Sequence, residues 1–288
     1  MSLFDRSAIE AAAARASAEP VAPTAELVDA WRQLHHAAQL ASEVGKAWAT
    51  PRADDSHSAF VFCEGELLGT RVEAPMGFRA ALRVRDLTLR LVADGGAVLA
   101  SESLDGVALA DGMRWIRGEA ARLAGPPRQP AIPAPDLPPH AVLQGAPFSV
   151  RAAELAALAR LLGGADALLR AVAPSVTVWP HHFDMATLLE TAPQRTIGVG
   201  LAVPDALEPS GYWYVSPWAA EPPSSASTVW PALACGRWIE RGGALRMAAL
   251  PLGLWATLGD ANARRAALAG FTVTALDASA NNLARADG

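Results

Sequence analysis

Lysine is all but absent from this sequence: of 24 Lys and Arg residues, Lys46 is the single lysine. Codon preference explains such a bias, and a lysine that survives it invites a specific role. Cysteine is nearly as scarce. Cys63 and Cys235 are too few for a disulfide framework and lack metal-type spacing, which points to a reducing, cytoplasmic setting. No basic run is present and the arginines are scattered, so nothing favours a nucleic-acid partner. No stretch approaches the roughly 18 consecutive apolar residues that span a bilayer, and Asp5, Arg6, Glu10 and Arg15 interrupt the N-terminus where a signal peptide needs an apolar run. The expectation is a protein neither exported nor membrane-embedded.

What is there is a 288-residue chain, 51% hydrophobic and 18% charged, with a formal net charge of -5, enough to bury a large core without staples. Residues 1–23 read as an arm holding a short alanine-rich helix. From Thr24, a plausible N-cap, Leu27, Trp31, Leu34, Ala38 and Ala41 recur at helical spacing, and the helix is expected to end near Gly45. Five short alternating runs follow, from "SAFVFCE" to "GAVLASES", broken at "EGE", "APMG" and "DGG" as in an antiparallel meander. A helix closing at Gly125 completes residues 24–125.

Residues 126–148 are proline-rich and read as a linker or wrapping arm. Residues 149–288 then repeat the plan. A helix with Leu155, Leu158, Leu162 and Leu169 on one face precedes the strands "SVTVWP", "FDMATLLE", "RTIGVGLAV" and "GYWYVSPW". A short helical segment, a strand at 244–250 and a closing helix from about Asp260 to Leu283 follow, although the β-rich "FTVTALDA" argues against that last helix. The fold class expected is α+β: two similar halves, each an antiparallel meander flanked by helices, related by a pseudo-twofold.

Two stretches carry candidate chemistry. On the first helix His35, Gln39, Ser42 and Lys46 are spaced four, three and four residues apart and share one stripe, which could line a polar cleft or simply face solvent. In "SVTVWPHHFDMATLLE", Pro180 forces a strand end before His181 and His182. If the chain stays extended, Asp184 shares a face with His182, and a carboxylate beside an imidazole fixes its tautomer and raises its basicity. His57 or a histidine of the first helix could join them around a divalent ion, but no metal motif is present, and the residues name neither metal nor cofactor. The bland reading has His182 and Asp184 bonded to nearby backbone. In "GYWYVSPW", Tyr212 and Tyr214 fall on one face and Trp213 and Val215 on the other, either lining a pocket or filling a core. Phosphate-loop, dinucleotide and nucleophile-elbow templates all fail.

"WRQLHHAAQLASEVGKA", "GELLGT", "DLPPH" and above all "VWPHHFDMATLL" with "YWYVSPW" resemble a family of uncharacterised bacterial proteins, a domain of unknown function. The resemblance runs from about residue 24 onward and is most specific at Trp179, Phe183, Asp184 and Ala186 and at Gly45 with Lys46. It implies that Lys46, Trp179 and Asp184 are motif positions and carries over no activity. The functional expectation is a small-molecule site between the halves, lined by His182, Asp184, Lys46, His35, His57, Trp179, His181, Tyr212 and Tyr214. As an enzyme it would use His182 as acid or base, Asp184 as its orienter and Lys46 as an electrostatic group. The alternative is a non-catalytic binding or assembly module with an aromatic surface, including self-association.

Overall fold

The computed structural model describes residues 3–19, 21–129, 137–224, 228–240 and 243–285. The middle of the expected proline-rich linker, 130–136, therefore lies outside the described residues. The fold is α+β. Among the described residues six α-helices accompany one antiparallel sheet of eleven strands, ordered β10-β11-β9-β8-β7-β6-β1-β2-β3-β4-β5.

The strands are β1 (Phe60–Cys63), β2 (Glu66–Gly69), β3 (Phe78–Arg83), β4 (Thr88–Ala93), β5 (Val98–Ser103), β6 (Val176–Val178), β7 (Met185–Ala192), β8 (Arg195–Ala202), β9 (Tyr212–Ala219), β10 (Arg237–Glu240) and β11 (Arg246–Pro251). The helices are α1 (Arg6–Ser17), α2 (Ala25–Trp48), α3 (Leu109–Ala124), α4 (Ala152–Val172), α5 (Leu252–Ala256) and α6 (Ala261–Ala284). Chain contacts divide the molecule into two compact units. The first comprises Met1–Pro23, Gly163–Val176 and Asp184–Gly288, and the second Thr24–Leu162 and Thr177–Phe183. None of these boundaries falls in 126–148.

In the second unit α2 is the core. Thr24 caps it through its hydroxyl, which accepts the Leu27 N–H at 3.2 Å. Nearly every residue from Gln33 to Gly45 is buried, so α2 is enclosed on all sides rather than presenting a polar stripe to water. It packs over β2, β3 and β4, with α3 alongside. The helix does not end near Gly45 but runs to Trp48. Gly45 is there because the backbone carbonyl of His57 presses on α2, and a Cβ would meet that oxygen closer than any real contact allows. The glycine serves close packing, not termination.

In the first unit α6 covers one face of the strands. Trp213 of β9 packs edge-on against Trp255 of α5 at 6.4 Å between ring centres, and both are fully buried. The β-rich "FTVTALDA" lies within α6. Its threonines are tolerated because Thr272 and Thr274 donate to the carbonyls of Leu268 and Gly270 four residues back, at 2.8 and 2.7 Å. The short helix expected before the strand at 244–250 is not found among the described residues; β10 stands there, paired antiparallel with β11. The alanine-rich helix of the arm is present as α1, capped by Asp5 and packed on α6.

Candidate functional site

The segment from Trp179 to Phe183 is a turn and not extended chain. The Phe183 N–H donates to the Trp179 carbonyl at 2.7 Å, and Phe183 itself takes a left-handed conformation with φ of 55°. This overturns the strand alternation that set His182 beside Asp184: with a proline, a closing hydrogen bond and one left-handed residue, period-two facing no longer holds. Asp184 is instead engaged within the first unit, where its carboxylate accepts the Tyr214 hydroxyl at 2.6 Å. Tyr212 makes a parallel arrangement with Asp205 at 3.0 Å. The two tyrosines do share one face, and the Tyr214 ring lies over Gly200 of β8, its cross-strand partner.

In the second unit the turn lies against α2. The carbonyl of Pro180 accepts from His35 Nε2 at 3.0 Å and from Gln39 Nε2 at 2.6 Å. Because a carbonyl only accepts, His35 carries its proton on Nε2 and leaves Nδ1 as a lone-pair acceptor. The ring stacks on Phe183 at 5.0 Å. His36, on the adjacent position, donates from Nε2 to the Pro138 carbonyl at 3.1 Å, so its Nδ1 is likewise an acceptor. Burial, offset by the Pro180 hydrogen bond and reinforced by His36, His182 and His181, holds His35 down at about 4. Burial and the neighbouring His140 hold His36 at about 4 too. His181 and His182, both exposed, have ring centres 4.5 Å apart, and the Trp179 ring stands edge-on to His181 at 6.0 Å.

Five of the six histidines thus gather around the middle of α2. His140 joins through His36, ring centres 5.7 Å apart, and donates from Nε2 to Asp29 at 3.0 Å. Burial alone would raise the Asp29 carboxyl, but hydrogen bonds from His140 and Gln33 and the nearby Arg151 charge outweigh it and lower it. Gln33 Oε1 in turn accepts the Ser149 N–H at 2.8 Å, so this network fastens the chain around residue 140–150 to α2. Neither Asp29, His36 nor His140 stands out in the sequence. The only signal is that Asp29, Gln33 and His36 fall at spacings of four and three, which share a face once the partners are known.

Lys46 and His57 belong to a different locality. Lys46 is eleven residues beyond His35, roughly 16 Å along the helix axis, so the two do not share a site. Its neighbour Glu43 is buried and ion-paired with Arg117 of α3. Burial raises the Glu43 carboxyl and lowers the half-buried Lys46 ammonium, which Glu43 and Asp55 partly restore. His57 Nδ1 accepts the Arg52 N–H at 3.2 Å, closing its own loop, and Ser42 donates to the Ser58 carbonyl at 2.9 Å. These two bonds hold the loop at 52–58 together and against α2.

Several buried polar atoms in the central turns of α2 find no hydrogen-bond partner among the described residues: Trp31 Nε1, His35 Nδ1, His36 Nδ1 and Gln39 Oε1. Trp31, His35 and Gln39 follow one another at intervals of four and so lie on one stripe. Among the described residues no three His, Cys, Asp or Glu side chains assemble as metal ligands would. Two open grooves flank α6 in the first unit, of about 390 Å³ beside Arg6, Glu10 and Arg265 and about 300 Å³ beside Val229, Asp277 and Asn282. No family model, curated protein or solved structure matches the chain.

Proposed function

We propose that the second unit binds a small, neutral, hydrogen-bonding molecule along the Trp31–His35–Gln39 stripe of α2, at the turn carrying His181 and His182. The observation that carries this reading is the set of unpartnered atoms: one indole donor and acceptors on His35, His36 and Gln39, all on buried side chains. Leaving such groups unmatched costs about 1–3 kcal/mol each, and an occupant with hydroxyl or amide groups would recover much of it. Neutrality follows because both imidazoles are uncharged at physiological pH and, among the described residues, no carboxylate pairs with His35. A base held at about 4 is weak, which favours binding over proton transfer.

Glycerol, myo-inositol and acetamide are suitable probes. At least one should raise the unfolding temperature of the wild type and fail to raise that of His35→Phe or Gln39→Leu. Ordered water on all four atoms in a crystal structure, with no response to any probe, would reject the proposal.

A second reading rests on the open face of β7–β9 in the first unit, where Leu188 is 65% and Trp218 55% exposed, with Gly198 opposite Leu188. There the protein would meet another copy of itself, and Trp218→Ser should then lower the sedimentation coefficient. Kinship with the uncharacterised family is supported by Trp179, Phe183, Asp184 and Ala186, and a cytoplasmic setting by two unpaired cysteines. Descent of 24–125 and 149–288 from one duplicated unit is supported by their similar order of helix and meander.

A further inference from the structure

Arg264, near the start of α6, is a buried cation without a counter-ion. Its side chain is enclosed, with 8% of the residue exposed. Nη1 donates to the Leu258 carbonyl at 3.0 Å, while Nε is buried with no partner. Among the described residues no carboxylate forms an ion pair with it. The indole N–H of Trp255 donates to the Arg264 carbonyl at 3.0 Å, which holds this turn of helix against α5.

The helix makes the imbalance worse. α6 is 24 residues long, and its N-terminus carries a partial positive charge from unpaired amides. Helical side chains lean toward the N-terminus, and the bond from Nη1 to Leu258, ahead of the cap, shows that Arg264 does so. A guanidinium and the positive end of a long helix are thus brought together in a poorly solvated place. Asp260, the carboxylate at the helix cap, accepts the Ala263 N–H at 2.8 Å and is exposed; Arg265, next in sequence, adds to the positive side. An uncompensated buried charge is among the costliest features a fold can keep.

We propose that the N-terminus of α6 binds a small oxyanion of the phosphate or sulfate class. It would accept from Arg264 Nε and from the leading amides of Ala261 and Asn262, which no side chain among the described residues caps. The loop 257–260 above it is largely exposed and offers the way in. Planar guanidinium and helix amides together suit a tetrahedral oxyanion better than chloride.

The experiment is thermal unfolding and calorimetric titration of the full chain with inorganic phosphate against chloride at matched ionic strength, with glycerol phosphate as a second arm. Wild type should show saturable one-site binding and a rising midpoint, and Arg264→Met should show neither. Response to both arms assigns the site to phosphoryl groups in general, and response to inorganic phosphate alone to the free ion. An equal rise in wild type and Arg264→Met, or no binding by wild type, overturns the proposal. Should Arg264→Met not fold, Asp260→Ser decides: it keeps a capping hydroxyl and removes the competing charge. Affinity for phosphate should then tighten roughly threefold, and unchanged affinity overturns the site.

Discussion

His35 is a buried base whose conjugate acid the fold disfavours, and that makes stability depend on pH in a definite direction. The unfolded imidazole takes a proton near 6.5 and the folded one only at about 4. As pH falls, the unfolded chain binds protons first, so stability is whole above 6.5 and is lost progressively from 6.5 down to about 4. For His35 the loss approaches about 3 kcal/mol at the lower end. His36 acts in the same direction. Chemical denaturation at a series of pH values should show this slope, and His35→Phe should flatten it. At the same scale, the Tyr214 hydroxyl bonded to Asp184 should contribute about 1 kcal/mol. Tyr214→Phe and Asp184→Asn should each destabilise by that order, and the double variant by much less than their sum.

At the level of elements, α2 is held by what presses on it. Gly45→Ala should cost several kcal/mol, because the new methyl meets the rigid backbone carbonyl of His57 rather than a movable side chain. A fall in the denaturation midpoint well beyond that of an exposed Gly→Ala control checks it. The α2–α3 contact is joined by the Glu43–Arg117 pair, with Glu43 the more deeply buried partner. Arg117→Met should therefore destabilise by about 3 kcal/mol by stranding a buried carboxylate. Glu43→Gln in the same background should recover part of that loss, since a neutral amide needs no counter-charge. Of the pair Gly45–Lys46, the glycine has a physical reason in the close approach of the His57 carbonyl, while Lys46 keeps a half-buried ammonium.

Across the whole molecule, the sheet ends among the described residues at β10 on one side and β5 on the other. β5 is half exposed along its length, whereas β8 is buried from Ile197 to Ala202. Amide hydrogen exchange should accordingly be slowest in β8 and β9, flanked by paired strands, and fastest in β5. Equal protection in β5 and β8 would contradict this ordering. No helix among the described residues is long and apolar enough to cross a membrane.

Local pattern carried much of this architecture. The five strands of the first meander, the helix closing at Gly125 and the four strands from "SVTVWP" to "GYWYVSPW" follow from periods of two and 3.6 and from turn residues, which act over a few positions. The tyrosine face of β9 follows in the same way. What alternation could not reach was the turn after Pro180, where one left-handed residue reset every facing beyond it. The site was legible only in part: His35 and Gln39 were visible on a stripe with Ser42 and Lys46, while Trp31 counted with the apolar positions, and the burial was not visible, because enclosure depends on β2–β4, α3 and the chain near Pro138 arriving from far along the sequence. Sequence by itself determined which residues are polar and how they repeat. Tertiary structure alone decided which of them lose water, and so made His35, His36 and Gln39 unmatched acceptors rather than a solvated helix face.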